Sequence, residues 1–207
     1  MDPAYFVTAF ATLFVIIDPI GLAPLFVALT QGTDAKSRRG IAIRACLVAF
    51  IVLLVFAIVG EALLGFVGIS MPAFRIAGGA LLFLTALDML FERRQERRDE
   101  QAEQRPDPSV FPLAVPLIAG PGSIATMILL AGQSEGDLPQ TLGIFAVMAC
   151  VLAITLLLFL AGGLIERALG RTGINIVTRL LGMLLAALAV QFMLTGLIES
   201  GFASAGN

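Results

Sequence analysis

The 207-residue chain has no histidine. That absence removes His-metal sites, Ser-His nucleophile pairs and His proton relays together. Cysteine is nearly as scarce. Cys46 and Cys150 both lie in apolar runs and read as small buried hydrophobes. Charge is scarce too. Only 14% of the residues are charged, against about 25% in a soluble domain, which excludes an ordinary cytosolic globule. A net charge of -2 argues against a nucleic-acid binder with a basic face. Low charge with high apolar content also excludes a disordered chain. The start, Met1-Asp2-Pro3, lacks the basic region of a cleaved signal peptide. The first apolar stretch therefore reads as a retained span.

What the chain does have is apolar surface: 58% hydrophobic residues and a mean hydropathy of +0.98. Many of its 21 glycines and 10 prolines sit inside apolar stretches, as membrane helices tolerate. Six apolar segments emerge, over about Tyr5–Leu29, Ile41–Val67, Pro72–Phe91, Val110–Ala131, Thr141–Ile165 and Asn175–Ile198. Each is near the ~20 residues that cross a bilayer as a helix. Arg44 and Arg75 stand at span ends, where they can snorkel. The expected fold is all-α: a polytopic membrane protein of six transmembrane helices. Lys36, Arg38 and Arg39 lie between spans 1 and 2, Arg93 to Arg105 between spans 3 and 4, and Arg167 and Arg171 between spans 5 and 6. The positive-inside rule puts these connections in the cytoplasm and both termini outside, with the loop holding Glu135 and Asp137 external.

The chain divides into residues 1–91, a charged linker 92–109, and residues 110–207, and the outer two parts resemble each other. Glu61, Gly65, Gly68, Arg75 and Gly78 recur in order as Glu166, Gly170, Gly173, Arg179 and Gly182. With three spans per repeat, the second copy enters the membrane upside down. Arg75 then becomes the external counterpart of cytoplasmic Arg179. Inverted repeats with paired interrupted helices mark secondary transporters.

The interruptions are Asp18-Pro19-Ile20-Gly21 in span 1 and Gly120-Pro121-Gly122-Ser123 in span 4. A carboxylate inside a span costs at least ~2.5–3.5 kcal/mol, and such groups are functional by default. Asp18 fits a helix N-cap and Pro19 the first helical position, so span 1 is expected to break at mid-membrane. Pro121 does the same in span 4, with Pro112 and Pro116 loosening the preceding half. The N-termini of both second halves then converge, offering N–H groups and partial positive charge to an anion. A zwitterion fits, with its carboxylate on the helix ends and its ammonium on Asp18. Ala23, Ala125 and Ser123 leave room for a small side chain only. Asp18 is also the candidate carrier of a coupling H+ or Na+. No other cofactor is expected.

Arg75, Arg179 and Gln191 are candidates for gating or symmetry-related roles, and interfacial anchoring suits the two arginines equally. Glu61 and Glu166 are placed to pair with them or with loops. Asp88 reads as a surface group or an arginine partner. Thr85, Thr126 and Thr155 read as hydrogen-bonding glue between helices. Gly78-Gly79 and Gly162-Gly163 read as close-packing points.

These motifs, Asp18-Pro19-Ile20-Gly21, Arg75-Ile-Ala-Gly78-Gly79, Gly120-Pro121-Gly122-Ser123 and Thr178-Arg179-Leu-Leu-Gly182, resemble the MarC family of bacterial inner-membrane proteins. The resemblance covers nearly the whole chain. It implies a six-helix inner-membrane protein and, for some relatives, transport of small neutral amino acids driven by a cation gradient. The expected partners are a small-molecule substrate and the lipid bilayer. Within transport the alternative is an exporter or channel for another small solute, and two other classes compete. An intramembrane aspartyl enzyme needs Asp18 and Asp88 at one depth, and a scaffold predicts that Asp18 is freely replaceable.

Overall fold

The computed structural model describes residues 3–91, 107–134 and 137–201, apart from the side chains of 165–167 and 171. Arg93 to Arg105, Glu135 and the side chains of Glu166, Arg167 and Arg171 therefore lie outside the described residues. The chain runs through α1 (Pro3–Ile17), α2 (Pro19–Leu29), α3 (Ala35–Val67), α4 (Met71–Leu90), α5 (Ser109–Ile118, wound in wide π turns), α6 (Pro121–Gly132), α7 (Leu138–Leu160) and α8 (Gly162–Glu199). All regular structure among the described residues is helical.

Several boundaries differ from the hydropathy segments. α3 begins six residues before Ile41, because Asp34 caps it: its Oδ2 accepts from the Lys36 amide at 3.1 Å and the Ser37 amide at 3.3 Å. Hydrogen bonds from Ser37 and then Lys36 hold the Asp34 carboxyl below its ordinary range. Lys36, Arg38 and Arg39 thus sit in the first turns of a helix and not in a loop. α8 likewise begins at Gly162, well before Asn175, and continues through Arg167 and Arg171. Its one internal break is Gly170, at φ 60° and ψ 174°, a conformation that a Cβ disfavours. Hydropathy marks apolar windows and does not see polar helix ends.

The spans formed by α1–α2 and α5–α6 are the enclosed ones. Two-thirds (67%) of the apolar window of α1–α2 is buried, against 39% or less for α3, α4, α7 and α8, and eight of the twelve residues of α6 are buried. Those four surround the centre and turn large side chains outward: Phe66, Leu84, Leu157 and Leu184 are all exposed. Cys150 faces outward as well, while Cys46 is buried. The expectation of two buried thiols fails at Cys150 because an apolar run in this chain signals a nonpolar surrounding and not an interior position.

α4 packs along α8 more extensively than any other helix pair does. The two run antiparallel, with Arg75 beside Glu199 at one end and Met89 beside Gly182 nearer the other. Glycines permit the approach. A Cβ at Gly79 would lie 2.7 Å from Met193 Cγ and 2.8 Å from the Ala189 carbonyl oxygen. A Cβ at Gly182 would lie 2.9 Å from Met89 Cβ and 3.2 Å from the Ala86 carbonyl oxygen. Gly78 and Gly162 also pack closely, on Leu129 and Val27, whereas Gly163 has nothing within 4 Å.

Candidate functional site: two helix breaks below a polar cavity

At the first break Asp18 lies between α1 and α2 in the left-handed region, φ 55° and ψ 61°, and is fully buried. Its Oδ1 accepts from the Gly21 amide at 3.1 Å. Pro19 occupies the first turn of α2, where its missing N–H costs nothing. Helical bonds persist on both sides: the Asp18 amide donates to Phe14 O at 2.9 Å, and the Leu22 amide to Asp18 O at 3.0 Å. Gly21 is buried, and Ile20 is partly exposed.

The second break has no carboxylate. Gly120 occupies the N-cap position of α6 with no side-chain hydrogen bond, and Pro121 follows it. Phe111 and Val115 are extended, each preceding a proline that excludes helical geometry. The remaining bonds skip to i−5, as from the Ala119 amide to Ala114 O at 2.8 Å. α5 and α6 meet with a bend of 57°. Gly122 and Ser123 are buried, and Pro121 is exposed.

The two breaks touch. A Cβ at Gly122 would lie 2.8 Å from Ile16 Cδ1 and 3.5 Å from Leu82 Cδ2. Ile16 precedes Asp18 by two residues, so the start of α6 is packed onto the end of α1.

Above them lies a cavity of about 660 Å³. It is lined by Thr8 from α1, Glu61 from α3, Met71 and Arg75 from α4, Gly132 and Gln133 at the end of α6, and Leu188, Gln191, Phe192, Thr195 and Glu199 from α8. Leu188 to Glu199 on α8 gives it a depth of about 16 Å at the helical rise. Its floor, at Leu188, is level with Leu82, since Gly79 lies between Ala189 and Met193 and Gly182 lies against Ala86 and Met89. Gly122 packs on Ile16 and on this Leu82, and none of the three lines the cavity.

Arg75 is the charged group of this cavity that is buried, with its residue 5% exposed. It does not snorkel. Its Nη1 is paired with Glu199, and its Nε is buried with no hydrogen-bond partner. Arg179 at the corresponding place on α8 is exposed. Gln191 is exposed to the cavity and donates from Nε2 to Thr195 Oγ1 at 3.4 Å. Of the sequence-derived candidates the cavity gathers Arg75, Gln191 and Glu61. Asp18, Pro19, Ile20, Gly21, Gly120, Pro121, Gly122 and Ser123 do not line it.

Other polar assignments change. Thr85 and Thr155 donate back to Leu81 O at 2.9 Å and Val151 O at 2.8 Å within their own helices, so they do not bridge between helices. Thr126 Oγ1 is buried without a partner. Arg44 reaches Asp107 at 2.9 Å, tying the end of the charged linker to α3. Glu199 escaped the sequence reading. Its signal was the antiparallel pairing of spans 3 and 6, which brings the end of the one to the start of the other.

Five helices long and apolar enough to cross a membrane, or six if the bent α5–α6 pair counts as one span, define an integral, multi-pass helical membrane protein. The chain belongs to the MarC family: residues 4–200 match the MarC family integral membrane protein. It is 41% identical to the UPF0056 membrane protein MJ1677 of Methanocaldococcus jannaschii over 203 residues, covering 95% of this chain and 98% of the relative. It is 36% identical to the UPF0056 inner membrane protein YhgN of Escherichia coli strain K12, covering 92% and 95%. The UPF0056 membrane protein YvbG of Bacillus subtilis is 35% identical, with 94% of each chain covered. No solved structure matches the chain.

Proposed function

We propose that this protein is a secondary transporter of small neutral amino acids or similar small metabolites, built from two inverted three-helix repeats. The observation that carries the reading is the pair of buried helix breaks that touch where Gly122 packs on Ile16 and Leu82, with Leu82 level with the floor of the polar cavity. A carboxylate buried at a helix break, packed beside a second break, is the layout of a solute site at the midplane of a secondary transporter.

The α4–α8 seam supports the repeat. Met89 follows Arg75 by fourteen residues, and Met193 follows Arg179 by fourteen. Gly79 sits on Met193 while Gly182 sits on Met89, contacts that are reciprocal to within one residue of the repeat, which aligns Gly182 with Gly78. On this reading substrate binds between Asp18–Gly21 and Gly120–Ser123 once Ile16 and Gly122 part. Asp18 carries the coupling H+ or Na+ or receives the substrate's ammonium. The cavity opens on the side opposite Lys36, Arg38 and Arg39, which makes it periplasmic in a bacterial inner membrane with both termini outside. The chemistry is translocation and not catalysis.

The test is uptake of labelled glycine, alanine and serine into proteoliposomes with and without proton and sodium gradients. Accumulation of one of them under a gradient, lost in Asp18→Asn, is the expected result. No accumulation of any solute, or full activity in Asp18→Asn, overturns the reading.

A further inference from the structure

Arg75 is held in a state that asks for an anion. Its side chain is 6% exposed, yet it lines the cavity. A desolvated guanidinium requires compensating acceptors. Glu199 supplies one, on Nη1, and the buried Nε is left without any. A guanidinium edge with two donors side by side is shaped for both oxygens of one carboxylate. The present pairing therefore leaves part of its recognition capacity unused.

The two partners are unequal. Arg75 is enclosed, four residues into α4, and packs inside the bundle. Glu199 is the last residue of α8, and its side chain is 41% exposed. Glu199 can swing into solvent at little desolvation cost, while Arg75 cannot leave. The cavity's 660 Å³ falls within the range of small-molecule sites, about 300–1,000 Å³.

We infer that Arg75 is the first binding site for the carboxylate of a small solute, and that Glu199 is a built-in competitor which that carboxylate displaces. The inference rests on the transport reading in taking this cavity as the mouth of the solute path. A zwitterion suits the exchange best. Its carboxylate replaces that of Glu199 on Arg75, and the released Glu199, with Glu61 lining the same cavity, faces its ammonium. No net charge is gained or lost in the cavity. The step is recognition ahead of the helix breaks and separate from binding at Asp18.

Calorimetric titration of the purified full chain with three probes tests this: propionate (carboxylate alone), glycine (both groups) and ethylamine (ammonium alone). Wild type is expected to bind propionate and glycine and not ethylamine. Glu199→Gln removes the competitor, and propionate affinity rises about tenfold if the ion pair is formed nine-tenths of the time. Glycine gains less, because the variant also loses a partner for its ammonium. Arg75→Lys keeps the charge and loses the fork, so propionate binding weakens. Elution as a single peak at the wild-type volume establishes that each variant is folded. Unchanged propionate affinity in folded Glu199→Gln, wild-type affinity in Arg75→Lys, or no propionate binding in either wild type or Glu199→Gln overturns the site. Propionate binding without uptake of any solute refutes transport and leaves the site standing. Glycine uptake indifferent to both substitutions does the reverse.

Discussion

The breaks at Asp18 and Gly120 share a proline in the first turn of the following helix and differ in almost everything else. At Asp18 a carboxylate caps α2 and i−4 bonds continue on either side. At Gly120 no side chain caps α6, the preceding turns are wound to i−5, and the helices bend by 57°. Proline alone therefore does not set the bend. The register of the neighbouring hydrogen bonds does. The arginines differ in the same sense, since Arg75 is buried and ion-paired while Arg179 is exposed. Of the two arginines that the repeat pairs, one is inside and the other is out.

The largest expected effect comes from crowding the seam on which both halves rest. Gly79→Ala drives a Cβ into the backbone oxygen of Ala189 and is expected to cost about 2–3 kcal/mol. Gly163→Ala, with open space around it, is expected to be neutral or stabilising by about 0.5–1 kcal/mol. Equal melting temperatures in lipid nanodiscs for the two variants would contradict the seam. Asp18→Ala comes next. It loses the cap and places alanine in the left-handed region, for about 2 kcal/mol together. Asp18→Asn keeps both preferences and is expected to melt near wild type. The arginines follow. Arg75→Gln is expected to destabilise by about 1–3 kcal/mol, and Arg179→Gln by no more than about 0.5 kcal/mol. Equal losses would erase the contrast between the halves.

The smallest effect is a pH dependence at the linker end. A hydrogen bond from Ser109, with Arg44 contributing less, holds the Asp107 carboxyl below its ordinary 3.8. A lowered folded value stabilises the ionised form. The contribution is complete above pH 3.8 and fades as the pH falls through the lower folded value. Amide exchange at Ser109, whose N–H donates to Asp107 at 3.0 Å, is expected to accelerate only in that acid range. Acceleration beginning near neutrality would point to another group.

The membrane class, the number of apolar segments and the proline at each break are legible in the sequence because they follow from local composition and backbone chemistry. Helix ends at Asp34 and Gly162 are less so, since polar turns extend helices beyond their apolar windows. Exposure is the poorest inference. In a lipid-facing bundle Cys150 and Leu157 are as apolar as the buried Cys46 and Leu53, and periodicity cannot separate them. At the candidate site, Asp18 and Gly120–Ser123 announce themselves by breaking helix rules. The cavity does not, because it forms from the ends of five helices, and Glu199 meets Arg75 only through tertiary packing.

The chain holds one tyrosine and no tryptophan. That tyrosine, Tyr5, donates from its hydroxyl to Leu130 O at 2.8 Å, joining the start of α1 to the far end of α6. Whenever α6 moves off α1, this phenol loses its carbonyl and meets water. The protein therefore carries its own optical gauge: ultraviolet emission from a single ring, unmasked by any indole, reports the separation of the two interrupted spans without a label.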